Sequence, residues 1–127
     1  MKVVVCVKQV PDADEVRIDP ERKTLIREGV PLILNPLDEH ALEAALRLKD
    51  SLGVYVVALS MGPPSAEQVL RHAIGMGCDE AVLLCDRALG GSDTWSTALA
   101  LASAVRRVGD VDLVICGDHS LDGDTGQ

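Results

Sequence analysis

The stretch DLVICGDHSLDGDTGQ, residues 112–127, decides how the rest of the chain is read. It opens as an aliphatic strand over 113–116 and breaks at Gly117. Three carboxylates, two further glycines, a threonine and a glutamine follow. Small and polar residues at the carboxyl end of a parallel strand are where open α/β sheets hold ligands. The glycines let a backbone come close to a ligand, and the N-terminus of a following helix would face a phosphate. Thr125 and Gln127 can donate hydrogen bonds to it. Two carboxylates near a phosphate repel it, so Asp122 and Asp124 are expected to bind ribose hydroxyls, cap N–H groups or point away. A plainer reading stands beside this one: Asp-Gly is common in turns, and Asp124-Thr125 has the composition of a helix cap. No helix follows to cover the strand. The chain is therefore expected to be the front part of a longer protein, one α/β domain over 1–127 that is incomplete at its C-terminal end.

Working back from that strand, three more aliphatic runs appear, over 2–7, 54–59 and 81–85. The first is rich in β-branched valine, as a central strand should be. Helical periodicity separates the later runs. One helix is expected from the Asn35-Pro36 corner to about Leu52, with Asn35 as N-cap, Pro36 at the first position and Gly53 ending it. A second runs over 66–76, capped by Ser65 and closed by Gly77. A third starts at Ser92 or Asp93 and ends before Gly109. Pro11 cannot extend a ladder, so the chain is expected to turn there. Residues 14–30 hold two short alternating runs, 16–19 and 24–27, around a turn-like Pro20-Glu21-Arg22-Lys23, and read as an inserted β-hairpin. Strands alternating with helices specify a doubly wound, Rossmann-like parallel sheet joined by right-handed crossovers.

Composition agrees. Of 127 residues, 47% are apolar, yet there is one Trp, one Tyr and no Phe. An aliphatic core of this kind suits strands buried on both faces. Trp95 is expected to pack a helix on the sheet. The formal charge of −8 argues against nucleic acid or an anionic membrane as partner, and leaves room for a single nucleotide held by backbone N–H groups. No run approaches the roughly 20 apolar residues of a membrane span. Cys6, Cys78, Cys85 and Cys116 form no C-x-x-C pair and read as buried free thiols rather than a metal site or disulfide framework. A soluble, cytoplasmic protein is expected.

Four loops share the carboxyl rim: 8–12, 60–64, 86–92 and 117–127, with the corner at Asn35 close by. No G-x-G-x-x-G, G-x-x-x-x-G-K-[ST] or G-x-S-x-G is present, and no catalytic set is visible. His40 and His72 lie on helices and read as surface residues. His119 sits in the candidate site, as a ligand contact or a bystander. Thr94 and Thr97 lie one turn apart, as caps or as contacts.

Six motifs in order carry a resemblance: VCVKQVPD at 5–12, REGV at 27–30, NPLDEHALEAALRLKD at 35–50, SMGPP at 60–64, GSDT at 91–94 and DGDTGQ at 122–127. Together they resemble the N-terminal half of an electron transfer flavoprotein β (small) subunit. The resemblance implies an adenine-nucleotide-binding domain of the HUP-like class, holding AMP or, in electron-bifurcating members, a second FAD. It also implies pairing with an α subunit that contributes most of another FAD site, and electron shuttling from flavin dehydrogenases to an acceptor, as a carrier rather than an enzyme. Its nucleotide contacts would fall on Cys6, Lys8, Asn35, Pro36, Leu37, Asp38, Ser60, Met61 and Gly62. They continue through Gly117, Asp118, His119, Ser120, Leu121, Asp122, Gly123, Asp124, Thr125, Gly126 and Gln127. A flavin end would lie near Asp12, Thr94 and Thr97. The QVPD and GSDTWST forms look closer to the bifurcating type. Asp118-His119-Ser120-Leu121 departs from the basic residue and Gln-Ala-Ile usual after the glycine, which removes an expected cation. Leu37 replaces a common aromatic. The competing readings are a stand-alone nucleotide-binding module of the universal-stress type and an adenine-nucleotide hydrolase.

Overall fold

A computed structural model describes residues 1–12, 17–18, 25–26, 31–85 and 93–126. The chain begins with β1 (Lys2–Cys6), followed by the short strands β2 (Gln9–Pro11), β3 (Arg17–Ile18), β4 (Leu25–Ile26) and β5 (Leu32–Leu34). Helix α1 (Pro36–Leu52) leads to β6 (Tyr55–Met61). A 3-10 turn over Pro64–Ala66 runs into α2 (Glu67–Met76), then come β7 (Glu80–Leu84), α3 (Thr94–Val108) and β8 (Leu113–Cys116).

Four strands form one parallel sheet in the order β7-β6-β1-β8. The chain starts inside the sheet, steps outward through β6 to β7, then returns across β1 to lay down β8. With right-handed crossovers, that reversal puts α1 and α2 on one face and α3 on the other. The core follows the pleat. Val3 and Val5 of β1 pack with Ala41, Leu42 and Ala45 of α1 and Val69, Leu70 and Ala73 of α2. Val4, one residue out of phase, packs with Val57, Leu59 and Ala104 of α3. The doubly wound sheet expected from the sequence is the one found. Its topological switch point lies between β1 and β8, where such sheets open a crevice at the carboxyl ends.

Three aspartates pin the strand ends. At the amino end, the Asp79 carboxylate accepts from Val56 N at 2.8 Å and from Lys49 Nζ at 2.8 Å. Asp112 accepts from Lys2 N at 2.8 Å, tying β1 to the entry of β8. Asp38 does the same work at the carboxyl end. Gly53 ends α1 in the left-handed region at φ 68, as its position in the sequence requires.

Several local expectations fail. Pro11 does not turn the chain: β2 pairs antiparallel with β5, with Pro11 opposite Leu32, and Asp12 N donates to Pro31 O at 2.9 Å. Proline fits because the ribbon is two-stranded and its missing N–H faces outward. Ser65 does not cap α2; it lies in the 3-10 turn, and its hydroxyl meets Gln9 Oε1 at 3.2 Å. Asn35 sits at the N-cap of α1 but its side chain is used elsewhere. Asp93, one of the two expected caps, does cap α3, accepting from Ser96 N at 2.8 Å. Trp95 is 72% exposed and packs on no core. Cys78 is buried as expected, Cys6 partly so, but Cys85 and Cys116 are exposed. The expected hairpin appears as β3 paired with β4, while its turn at 20–23 and the loop at 86–92 lie outside the described residues.

Candidate functional site

The rim is assembled from the start of α1. Asn35 is 1% exposed and its backbone N–H donates to Lys8 O at 2.8 Å. Its amide clamps the loop after β8: Nδ2 donates to His119 O at 2.9 Å, and Oδ1 accepts from Leu121 N at 3.2 Å. A side chain bonded through both ends is a gauge for that loop. Asp38, one turn on, accepts from Lys8 N at 2.9 Å and from the Gly117 N–H. One carboxylate thus joins the exits of β1 and β8. Burial pushes the Asp38 carboxyl up, and the Lys8 N–H, the Asn35 side chain and the Gly117 N–H pull it part of the way back. Gly117 has to be glycine here. A Cβ would run into Asp38 Oδ1 and sit 3.0 Å from the Leu37 carbonyl.

Lys8 leaves the sheet at that junction. Its ammonium lies 2.8 Å from Asp122 Oδ1 and 3.4 Å from Ser120 Oγ. The cation that the sequence lacks after Gly117 is therefore supplied across the sheet, a pairing no local pattern reveals. Burial raises the Asp122 carboxyl, but Lys8, the Gly123 N–H and Ser120 outweigh it and hold it below the ordinary carboxylate range. The loop itself is one tight turn. Asp124 N donates to Ser120 O at 2.9 Å, and Gly123 N donates to Asp122 Oδ1 at 2.8 Å and to Ser120 Oγ at 3.3 Å. Asp124 takes φ 50, a left-handed conformation that aspartate tolerates. The His119 ring lies between two carboxylates, Nδ1 2.7 Å from Asp118 Oδ2 and Nε2 3.4 Å from Asp124 Oδ1. Asp122 thus caps the Gly123 N–H and pairs with Lys8, and Asp124 faces the His119 ring.

Cys6, Lys8, Asn35, Pro36, Leu37, Asp38 and the residues 117–126 are thereby gathered at the switch point. Ser60 and Met61 end β6 beside them, and Gly62 N donates to Leu84 O at 3.0 Å. Ser60 is 1% exposed and its hydroxyl has no hydrogen-bond partner among the described residues. A buried hydroxyl left in that state costs free energy, and a bound polar group is one way to relieve it. Thr94 and Thr97 are not brought in. They start α3, on the opposite face from α1, and no hydrogen bond among the described residues joins them to the rim. Asp12 stands beyond β2, and Gln127 lies outside the described residues. His40 and His72 are exposed on their helices. Two shallow grooves flank β7, against α3 and α2, and neither includes Lys8, Asn35, Ser60 or the loop after β8. No cluster of potential metal ligands occurs among the described residues. No described helix is long and apolar enough to cross a membrane.

The arrangement supplies one ammonium, several hydroxyl and backbone donors, and carboxylates suited to hydroxyl donors. The sequence profile of the electron transfer flavoprotein domain matches residues 23–127. The chain belongs to the electron transfer flavoprotein domain family. It is 56% identical to the caffeyl-CoA reductase-Etf complex subunit CarD of Acetobacterium woodii over 128 residues. It is 55% identical to electron transfer flavoprotein subunit beta of Clostridium acetobutylicum over 127 residues, and 53% identical to protein FixA of Azorhizobium caulinodans over 131 residues. These matches cover 100% of this chain and 49%, 49% and 47% of the three relatives. The chain thus spans about half the length of the curated relatives it matches. The family expected from the six motifs is the family found.

Proposed function

We propose that this chain is the nucleotide-holding part of an electron-carrier subunit of the electron transfer flavoprotein β type. It holds AMP or FAD at the β1/β8 switch point. It pairs with an FAD-containing α subunit to pass electrons from flavin dehydrogenases to an acceptor. The observation that carries this reading is the meeting of Lys8 with the 118–124 turn at the one place where the strand order reverses. The names of the relatives, an Etf complex subunit, an electron transfer flavoprotein subunit and FixA, support the electron-transfer role.

In this reading Lys8 exchanges Asp122 for a phosphate oxygen, and Asp122 or Asp124 accepts from ribose hydroxyls. Asn35 and Asp38 make no move; they fix the exits of β1 and β8 so that the turn is formed before ligand arrives. The Ser60 hydroxyl gains a partner. FAD, where it is the nucleotide, supplies a redox-active ring that AMP does not. Its ring would then lie toward Asp12, Thr94 and Thr97, as the bifurcating type requires.

The test is the ligand released when the full-length protein, purified with its partner, is denatured and chromatographed. AMP with one FAD supports a simple carrier, and two FAD with no AMP support the bifurcating form. A homodimer that releases ATP and no flavin would overturn the proposal in favour of a stand-alone nucleotide module.

A further inference from the structure

Two of the four cysteines meet. Cys6 ends β1, Cys116 ends β8, and the two residues are register partners on adjacent parallel strands. Register partners on parallel strands project to the same face, with Cα atoms about 4.8 Å apart. That spacing falls inside the roughly 4.4–6.8 Å range of disulfides. The two thiols are close enough to perturb each other's ionisation. They differ in setting: Cys6 is partly buried against Val4, Val57 and Leu59, while Cys116 is exposed on the sheet edge. Cys78 is buried, and Cys85 follows β7 at the opposite edge of the sheet.

We propose that Cys6 and Cys116 form a redox-active dithiol that closes to an intramolecular disulfide when the protein meets a hydroperoxide. Cys116 is the attacking sulfur. Its thiolate forms an S–O bond to the peroxide as the O–O bond breaks, and the departing alkoxide or hydroxide takes up the proton that the thiol released on ionising. Cys116 is then a sulfenic acid, oxidised by two electrons. The Cys6 sulfur attacks it, the S–S bond forms, the S–O bond breaks, and water leaves with the Cys6 proton. Two thiols and one hydroperoxide give one disulfide, one alcohol (or water) and one water. A thiol reductant reverses the closure. Cys116 is the more exposed of the two, and the neighbouring Cys6 thiol holds it below the ordinary thiol range while Cys6 itself is pushed up, which fits the order of attack. The bond would lie directly beneath the rim, since the residue after Cys116 and the residue two beyond Cys6 both donate N–H groups to Asp38.

The experiment treats the native full-length protein with increasing hydrogen peroxide, blocks free thiols with N-ethylmaleimide, and digests with trypsin without reductant. Mass spectrometry is expected to find peptide Val3–Lys8 joined to the peptide that begins at Val108 and carries Cys116. Dithiothreitol should separate them. In Cys6→Ser, dimedone should trap a sulfenic acid on Cys116. In Cys116→Ser, loss of the Cys6 thiol should slow several-fold or more, because the sulfur that remains is the more buried one and burial disfavours its thiolate. The wild-type digest decides the matter even if a variant misfolds. Recovery of Cys6 and Cys116 separately alkylated at doses that oxidise Cys85, or oxidised without a joined peptide, would overturn the proposal.

Discussion

A methyl group at position 117 would have nowhere to go. The Gly117→Ala Cβ meets Asp38 Oδ1 and the Leu37 carbonyl, backbone and buried carboxylate rather than flexible tips. The variant should lose about 1–3 kcal/mol of stability, the usual cost of overpacking, in urea titration. Asp38→Ala fails differently. It leaves the Lys8 and Gly117 N–H groups without their acceptor, which should cost about 1–3 kcal/mol. The pH dependence separates the aspartates by sign. Asp38 has a raised value in the fold, so the folded state binds its proton more readily than the unfolded chain. Its contribution is greatest below the unfolded value of 3.8 and declines as pH rises through the raised value. Asp79 and Asp122 have lowered values, so their contribution is present above 3.8 and is lost as pH falls through the lowered value. Comparing wild type with Asp38→Asn and Asp79→Asn in urea from acid to neutral pH should give slopes of opposite sign. Lys8 is a different case. Its pair with Asp122 is half-exposed and contributes about 0–1 kcal/mol. Lys8→Met should therefore hardly move the melting temperature, yet cost about tenfold or more in nucleotide affinity, as the loss of a charge-assisted bond does. A loss of both together would mean a structural lysine.

At the scale of elements, what was legible depended on distance along the chain. Runs of valine and leucine marked β1, β6, β7 and β8, and Gly53, Gly77 and Gly109 marked where helices stop. These signals are local. Asp93→Ala should weaken α3 by about 1 kcal/mol, since its cap to Ser96 is three residues long and acts alone. The failures were non-local. Pro11 enters a strand because Leu32 comes to lie opposite it. Ser65 is drawn off its cap by Gln9, and Asn35 by a loop 84 residues away. A large aromatic at Trp95 predicts packing on the sheet, but α3 turns that side to solvent. In the site, the loop 117–126 and the Asn35 corner were readable as rim residues. The Asp38 junction and the Lys8–Asp122 pair were not, because 30 and 114 residues separate their partners.

For the whole molecule, the strand order explains why one rim matters more than the others. Each parallel strand ends in a loop at the same rim, but the strand order reverses at β1, which has β6 on one side and β8 on the other, and sheets of this kind open a crevice at such a reversal. Fixed aspartates at both ends of the sheet hold that gap in register. The chain spans about half the length of its curated relatives, so the central claim is best tested in the full-length protein with its partner. The direct measurement is hydrogen exchange, comparing protein stripped of nucleotide with protein reloaded with AMP or FAD. Added protection is expected at the backbone of Lys8 and across residues 118–125, with little change along β7. Protection confined to the β7 edge, or no change at the Lys8 exit and the turn, would contradict the account.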